Sequence, residues 1–207
     1  RWKVLPQDVA AAQTLSTALG IDPLVARVLV ARGMTDAAAA RAFLHPDLER
    51  DWSDPLAIPG MAAAADRVEQ AVRTHETIAI FGDFDVDGMS AASLLTLALH
   101  ELSADVHPFI PDRFQEGYGL STAALERVIA SCAPSVVITV DNGIAAGNET
   151  AWLRKKGIDA VVTDHHEPGE LVPQGVPVAD PKLSEDCPSR ELSGAGVALK
   201  LVCELGQ

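Results

Sequence analysis

The sequence predicts an α/β protein: a mostly parallel five-stranded sheet with helices on both faces, preceded by a small helical N-terminal region. Three observations lead there. From about residue 60, short apolar runs rich in β-branched residues alternate with helix-like stretches, the pattern of successive βα units. The runs are near-continuously apolar, as in strands covered on both faces. Finally, the five runs end in aspartate, at Asp83, Asp112, Asp141, Asp164 and Asp180.

The elements follow in order. Residues 1 to about 55 read as helices: Asp22-Pro23 is a cap with proline at the first helical position, opening Leu24 to Ala31 and stopping at Gly33. Thr35 or Asp36 caps the alanine-rich stretch to Leu44, and Asp54-Pro55 with Pro59-Gly60 punctuates a linker. The expected division is a helical region over 1–55 and an α/β unit over 56–207. In the second part, helix Met61–Arg73 precedes strand Thr77–Phe81, and helix Ser90–Leu102 precedes strand Ala104–Ile110. Helix Ser121–Ser131 leads to strand Ser135–Val140, and helix Ala145–Lys156 leads to strand Ile158–Thr163. A short strand, Val176–Ala179, and helix Gly196–Glu204 complete the pattern.

Composition bounds the function. The 207 residues hold enough apolar side chain for a core. A first residue that is Arg1 and an end just after a helical stretch suggest a piece of a longer polypeptide. No run is long and apolar enough for a membrane span, and no basic-then-apolar leader is present, so a cytoplasmic protein without membrane attachment is expected. Three cysteines in no paired spacing argue against a disulfide framework or a zinc knuckle. The net charge of −13 argues against a nucleic-acid binder unless basic surface is supplied elsewhere.

Right-handed crossovers put the carboxyl ends of parallel strands on one edge, where open α/β sheets bind ligands. Asp83, Asp85 and Asp87 on alternate residues, Asp141, and the pair His165-His166 should therefore converge. Two carboxylates ~4 Å apart repel by about 4 kcal/mol at an effective dielectric of 20, so such a cluster points into water, shares protons or holds cations. Carboxylates and imidazoles without thiolate suit Mn²⁺ or Mg²⁺, and paired metals recur in phosphate-ester hydrolysis. Asp141 is the expected bridge, with Asp85 and Asp87 flanking it. Strand alternation would send His165 and His166 to different sides, one to metal and the other to a phosphate oxygen or to work as an acid. Taken singly, Asp112, Asp164 and Asp180 read as turn or helix caps. Asp83 reads either as a turn cap or as a site residue.

Look-alikes are few. Asp83-x-Asp85-x-Asp87-Gly88 matches the start of an EF-hand loop, but Leu94 stands where the bidentate glutamate belongs and a strand precedes it. Gly194-Ala195-Gly196 is a weak dinucleotide-loop fragment. A haloacid-dehalogenase-type phosphatase, with Asp85 as nucleophile and Asp87 as acid, is an alternative that leaves Asp141 and the histidines unused.

Gly82-Asp83-Phe84-Asp85-Val86-Asp87-Gly88, Thr139-Val140-Asp141-Asn142-Gly143-Ile144 and Thr163-Asp164-His165-His166 resemble three motifs of the DHH phosphoesterase superfamily. The stretches 111–120 and 192–200, Asp180-Pro181-Lys182 and the helical leader are similar to its RecJ-type, single-strand-specific exonuclease branch. The resemblance implies a two-metal hydrolase, using Mn²⁺ or Mg²⁺, that degrades single-stranded DNA from the 5′ end in DNA repair and recombination. It implies Asp85, Asp87, Asp141 and His165 as metal ligands with Asp83 beside them, and His166 facing the scissile phosphate. Arg113 would contact a DNA phosphate, and Asn142 and Gly196 would line the cleft. A helicase or single-strand-binding protein is an implied partner. The branch also carries a fourth-motif aspartate and a second, DHHA1-like domain, which this stretch lacks, so low activity of the stretch alone is expected. Alternatives are a DHH phosphodiesterase acting on short oligonucleotides or cyclic dinucleotides, and an inactive DHH-like scaffold.

Overall fold

A computed structural model describes residues 8–112, 116 and 119–206. It divides into two compact units, one ending at Trp52 and the other beginning at Ser53. The division falls before the expected boundary at 55/56, because the 3-10 turn Pro55–Ala57 packs with the second unit, where Pro55 is buried.

The first unit is helical. It comprises α1 (Val9–Leu19), α2 (Pro23–Ala31), α3 (Ala37–Leu44) and α4 (Leu48–Asp51). Asp8, Asp22, Asp36 and Asp47 each accept a backbone N–H at a helix start, satisfying donors that have no partner within the helix. Ala12, Leu15, Ala26, Leu29 and Ala40 form its small core.

The second unit is the expected α/β fold. It contains α5 (Met61–Arg73), β1 (Thr77–Phe81), α6 (Val86–Glu101), β2 (Asp105–Phe109), α7 (Thr122–Cys132), β3 (Val136–Val140), α8 (Gly147–Lys155), β4 (Asp159–Thr163), β5 (Val178–Ala179) and α9 (Gly194–Leu205). The five strands are all parallel in the order β2-β1-β3-β4-β5. Chain direction across the sheet reverses between β1 and β3. That is the topological switch point, where the two connections leave to opposite sides and open a crevice.

Alternation along the strands builds two apolar layers. Ile78, Ile80, Val136, Ile138, Val140 and Val161 face α5, α6 and α9. Ala79, Phe81, Val137 and Ala160 face α7 and α8. α5 shows why a helix fits there: Met61, Ala64, Ala65, Val68 and Ala71 are buried at helical spacing along one stripe. The strand Val176–Ala179 expected from sequence shrinks to two residues, since Pro177 has no N–H to extend the ladder.

α6 begins at Val86, four residues before the expected Ser90. Asp85 is its N-cap and accepts the Gly88 N–H at 3.0 Å. Gly88 then passes so close to the preceding turn that a Cβ would lie 2.5 Å from the Asp83 nitrogen. Aspartates and a glycine that read as loop are therefore the first turn of a helix.

Candidate metal centre

The crevice at the switch point is lined by the segments that leave the carboxyl ends of β1 and β3. After β1, Asp83 turns its Oδ1 back to the Phe84 N–H (2.8 Å), and Asp85 is exposed at the start of α6. Asp87, in the first turn, reaches across the crevice. Its Oδ2 accepts the Gly194 N–H at 2.7 Å and its Oδ1 the Ala195 N–H at 2.8 Å, at the start of α9. Burial pushes the Asp87 carboxyl up. The Ala195 and Gly194 amides, the Ser193 hydroxyl and His165 outweigh this and hold it below the ordinary carboxylate range.

After β3, Asp141 is 2% exposed and takes a left-handed backbone (φ 61°), anchored by its N–H to the Thr163 carbonyl. A non-glycine residue there stores strain, as is common at functional positions. Burial first, then the charges of Asp87 and Asp85, push its carboxyl up to about 7. Its Oδ1 lies 3.0 Å from His165 Nε2 but is not aligned for a hydrogen bond, and no other group among the described residues bonds it. Asn142 is buried, with Nδ2 donating to the Val140 carbonyl at 3.1 Å and more weakly to that of Phe81.

After β4, Asp164 organises the two histidines. It is 1% exposed; its Oδ2 accepts the Ile144 N–H at 2.9 Å, and its Oδ1 accepts the His165 N–H at 2.7 Å. The same Oδ1 lies 2.7 Å from His166 Nδ1. His165 Nδ1 lies 3.0 Å from the Leu192 carbonyl, which can only accept, so in the neutral ring Nε2 is left as the lone-pair nitrogen. That nitrogen faces Asp141 Oδ1 and, at 3.6 Å, Asp87 Oδ2. Burial pulls the His166 proton affinity down, but the Asp164 bond and the charges of Asp164, Asp141 and Asp180 raise it overall.

Two donor sets result, each with ligand atoms within 4.8 Å of one another: Asp83, Asp85 and Asp141, and Asp141, His165 and His166. They share Asp141. Alternation does not send the histidines to different sides. β4 ends at Thr163, and the two rings lie 4.5 Å apart, centre to centre. Asp112 is in neither set and its N–H bonds Glu116 instead. Asp180 is fully buried beneath, capping Lys182 through Oδ1 and raised to about 6 by burial and by Asp164. Gly196 lies in the first turn of α9, its N–H on Ser193 Oγ. Arg113 falls outside the described residues.

Sequence reasoning missed Asp164 as the holder of both histidines, and missed the Leu192–Ala195 segment as the holder of Asp87 and His165. For Asp164 a signal was present: a short acceptor just before two polar residues at a strand end bonds the N–H groups that come after it. For the segment none was, because its partners are distant in sequence.

The sequence and the fold have recognisable relatives. The sequence profile of the DHH family, N-terminal domain, matches residues 77–207. The single-stranded-DNA-specific exonuclease RecJ of Bacillus subtilis (strain 168) is 44% identical over 203 residues, covering 97% of this chain and 25% of that protein. The crystal structure of RecJ in complex with Mn²⁺ from Thermus thermophilus matches with a TM-score of 0.70 at 31% identity, over 98% of this chain and 28% of that one. A second crystal structure, exonuclease RecJ bound to manganese, matches with a TM-score of 0.66 at 38% identity, over 72% of this chain and 37% of that one. The chain spans about a quarter of the length of the first two curated relatives. With the parallel sheet, the switch-point cluster and the profile in agreement, the chain belongs to the DHH family.

Proposed function

We propose that this chain is the DHH part of a metal-dependent exonuclease that hydrolyses phosphodiester bonds of single-stranded DNA from the 5′ end. The observation that carries the reading is the pair of donor sets sharing Asp141. Oxygen and imidazole donors without thiolate fit Mn²⁺ or Mg²⁺. The buried Asp141 Oδ1, without a hydrogen-bond partner among the described residues, suits a cation. RecJ relatives named for this activity, and RecJ structures in complex with manganese, support it.

In this reading Asp85, Asp87, Asp141 and His165 would hold the ions, with Asp83 beside them; Asp141 is common to both donor sets, and Asp87, which lies in neither, faces the same His165 nitrogen at 3.6 Å. Bound ions would activate water and neutralise charge on the scissile phosphate. The chain's own groups do the rest. Asp164 fixes the tautomer and aim of His166, the Leu192 carbonyl does the same for His165, and the left-handed backbone at Asp141 turns its carboxylate into the crevice. His166, the more exposed of the two histidines, is the group placed to meet substrate. Asn142 and Gly196 belong to the same cleft, and Arg113 is assigned a phosphate contact on the sequence resemblance. The charge of −13 requires that basic surface for DNA lie elsewhere in the whole protein. A helicase or single-strand-binding protein would present the strand. The free cysteines suit a reducing cytoplasm, and among the described residues no helix is long and apolar enough to cross a membrane.

The test uses the full-length protein with 5′- and 3′-labelled single strands, duplex, short oligonucleotides and cyclic dinucleotides, in Mn²⁺, Mg²⁺ or EDTA. Mononucleotide release from single strands with a 5′ end, lost in EDTA and in Asp141→Ala, supports the reading. Metal-independent turnover, or activity confined to dinucleotides, sinks it.

A further inference from the structure

Three site residues come from the ends of three different strands, yet one short segment touches them all. Leu192 offers its carbonyl to His165 Nδ1 at 3.0 Å, and Gly194 and Ala195 give their N–H groups to the two oxygens of Asp87 at 2.7 and 2.8 Å. The third contact is made by a missing side chain. A Cβ on Gly194 would lie 2.4 Å from Asp141 Oδ1 and 2.6 Å from Asp141 Cβ and Cγ. Gly194 is not among the residues with positive φ, so glycine is required there for space and not for backbone freedom. Asp141 cannot retreat easily: it is 2% exposed, left-handed and tied by its N–H to the Thr163 carbonyl.

We propose that Leu192–Ala195 is a positioning clamp for the metal centre, and that Gly194 is the residue whose absent side chain lets Asp87, Asp141 and His165 converge. The inference rests on the metal reading above. A methyl at position 194 must either displace the Asp141 carboxylate or lift the segment away. Lifting the segment breaks the Asp87 bonds. Both routes separate the donors while leaving the apolar layers of the sheet intact.

The experiment uses the full-length protein. Free Mn²⁺ is titrated by electron paramagnetic resonance for the parent, Gly194→Ala and Gly206→Ala, with circular-dichroism melts alongside. Gly206 lies at the other end of α9, where a Cβ meets nothing nearer than 3.6 Å. Gly194→Ala is expected to weaken Mn²⁺ binding by about tenfold or more, the scale for groups that orient ligands, with its melt retained. Gly206→Ala should bind as the parent does. Equal affinity in Gly194→Ala and parent overturns the proposal.

A second measurement does not depend on metal or on Gly194→Ala folding. In EDTA, hydrogen exchange over residues 192–195 should speed up in Asp87→Ala; unchanged exchange overturns the clamp. Should the parent itself bind no Mn²⁺, the metal reading fails and the exchange result alone decides the clamp.

Discussion

Replacing Asp141 by asparagine should make the metal-free protein more stable while destroying its metal site. The carboxyl is raised from an ordinary 3.8 to about 7 by burial and by Asp87 and Asp85. A raised acid binds its proton more tightly in the folded state than in the unfolded one, so stability falls as pH climbs from about 4 to about 7. The penalty is complete above that window, and the displacement corresponds to about 4 kcal/mol at pH 8 and about 2 kcal/mol at pH 5. The side chain is 2% exposed but opens onto a crevice shared with the exposed Asp85, so these figures are upper bounds. Asparagine removes the charge, keeps the volume and tolerates the left-handed backbone at φ 61°. Urea unfolding in EDTA, followed by circular dichroism at pH 5 and pH 8, should show the variant gaining at both, and more at pH 8. With Mn²⁺ present the parent should recover and the variant should not. A variant no more stable than the parent at pH 8, or a gain that ignores pH, would refute the account of Asp141.

Other outcomes rest on the same geometry. In the proposed metal site, Mn²⁺ at a hundred times its dissociation constant should stabilise the parent by about 2.7 kcal/mol over EDTA at pH 8, read as a rise in melting temperature. Asp164→Ala strips acceptors from the Ile144, His165 and His166 N–H groups. It should cost about 3 kcal/mol by urea unfolding and weaken Mn²⁺ binding about 10- to 100-fold by titration. Away from the site, Arg67 pairs with Glu76 at 2.6 Å and Asp159 at 2.7 Å. The Arg67 hydrogen bond holds the Glu76 carboxyl below its ordinary value despite burial. Stability from Glu76 is therefore present above its ordinary 4.5 and lost as pH falls through the depressed folded value. Glu76→Gln should accordingly flatten the acid limb of a stability–pH profile.

Much of the fold is legible because a covered parallel strand has few ways to be written. Ile78-Ala79-Ile80-Phe81 and Val136-Val137-Ile138-Thr139-Val140 are apolar on both faces, short, and bounded by helix signals. The order of the strands is not written this way, since each crossover could in principle turn to either side. The aspartates at the strand ends are readable one by one, but only the reversal between β1 and β3 shows why Asp83 and Asp85 meet Asp141 while Asp112 does not. The start of α6 was hidden by local chemistry: Asp85 to Gly88 has low helix propensity and is made helical by capping and by close packing on Asp83. Strand alternation does not reach the histidine pair, because the strand stops at Thr163 and Asp164 takes over the geometry.

The bonds from Asp87 to Gly194 and Ala195 join residues 107 and 108 positions apart. On a ribosome adding about 5–20 residues per second, the aspartate leaves roughly 5–20 s before its amide partners are made. Throughout that interval the emerging chain carries the acid-rich turn without the segment that aims it, and without His165 for most of the time. Closing so long a loop is slow and comes late. The cradle is therefore expected to be assembled last, and a ribosome-stalled chain ending before Leu192 should show little affinity for Mn²⁺.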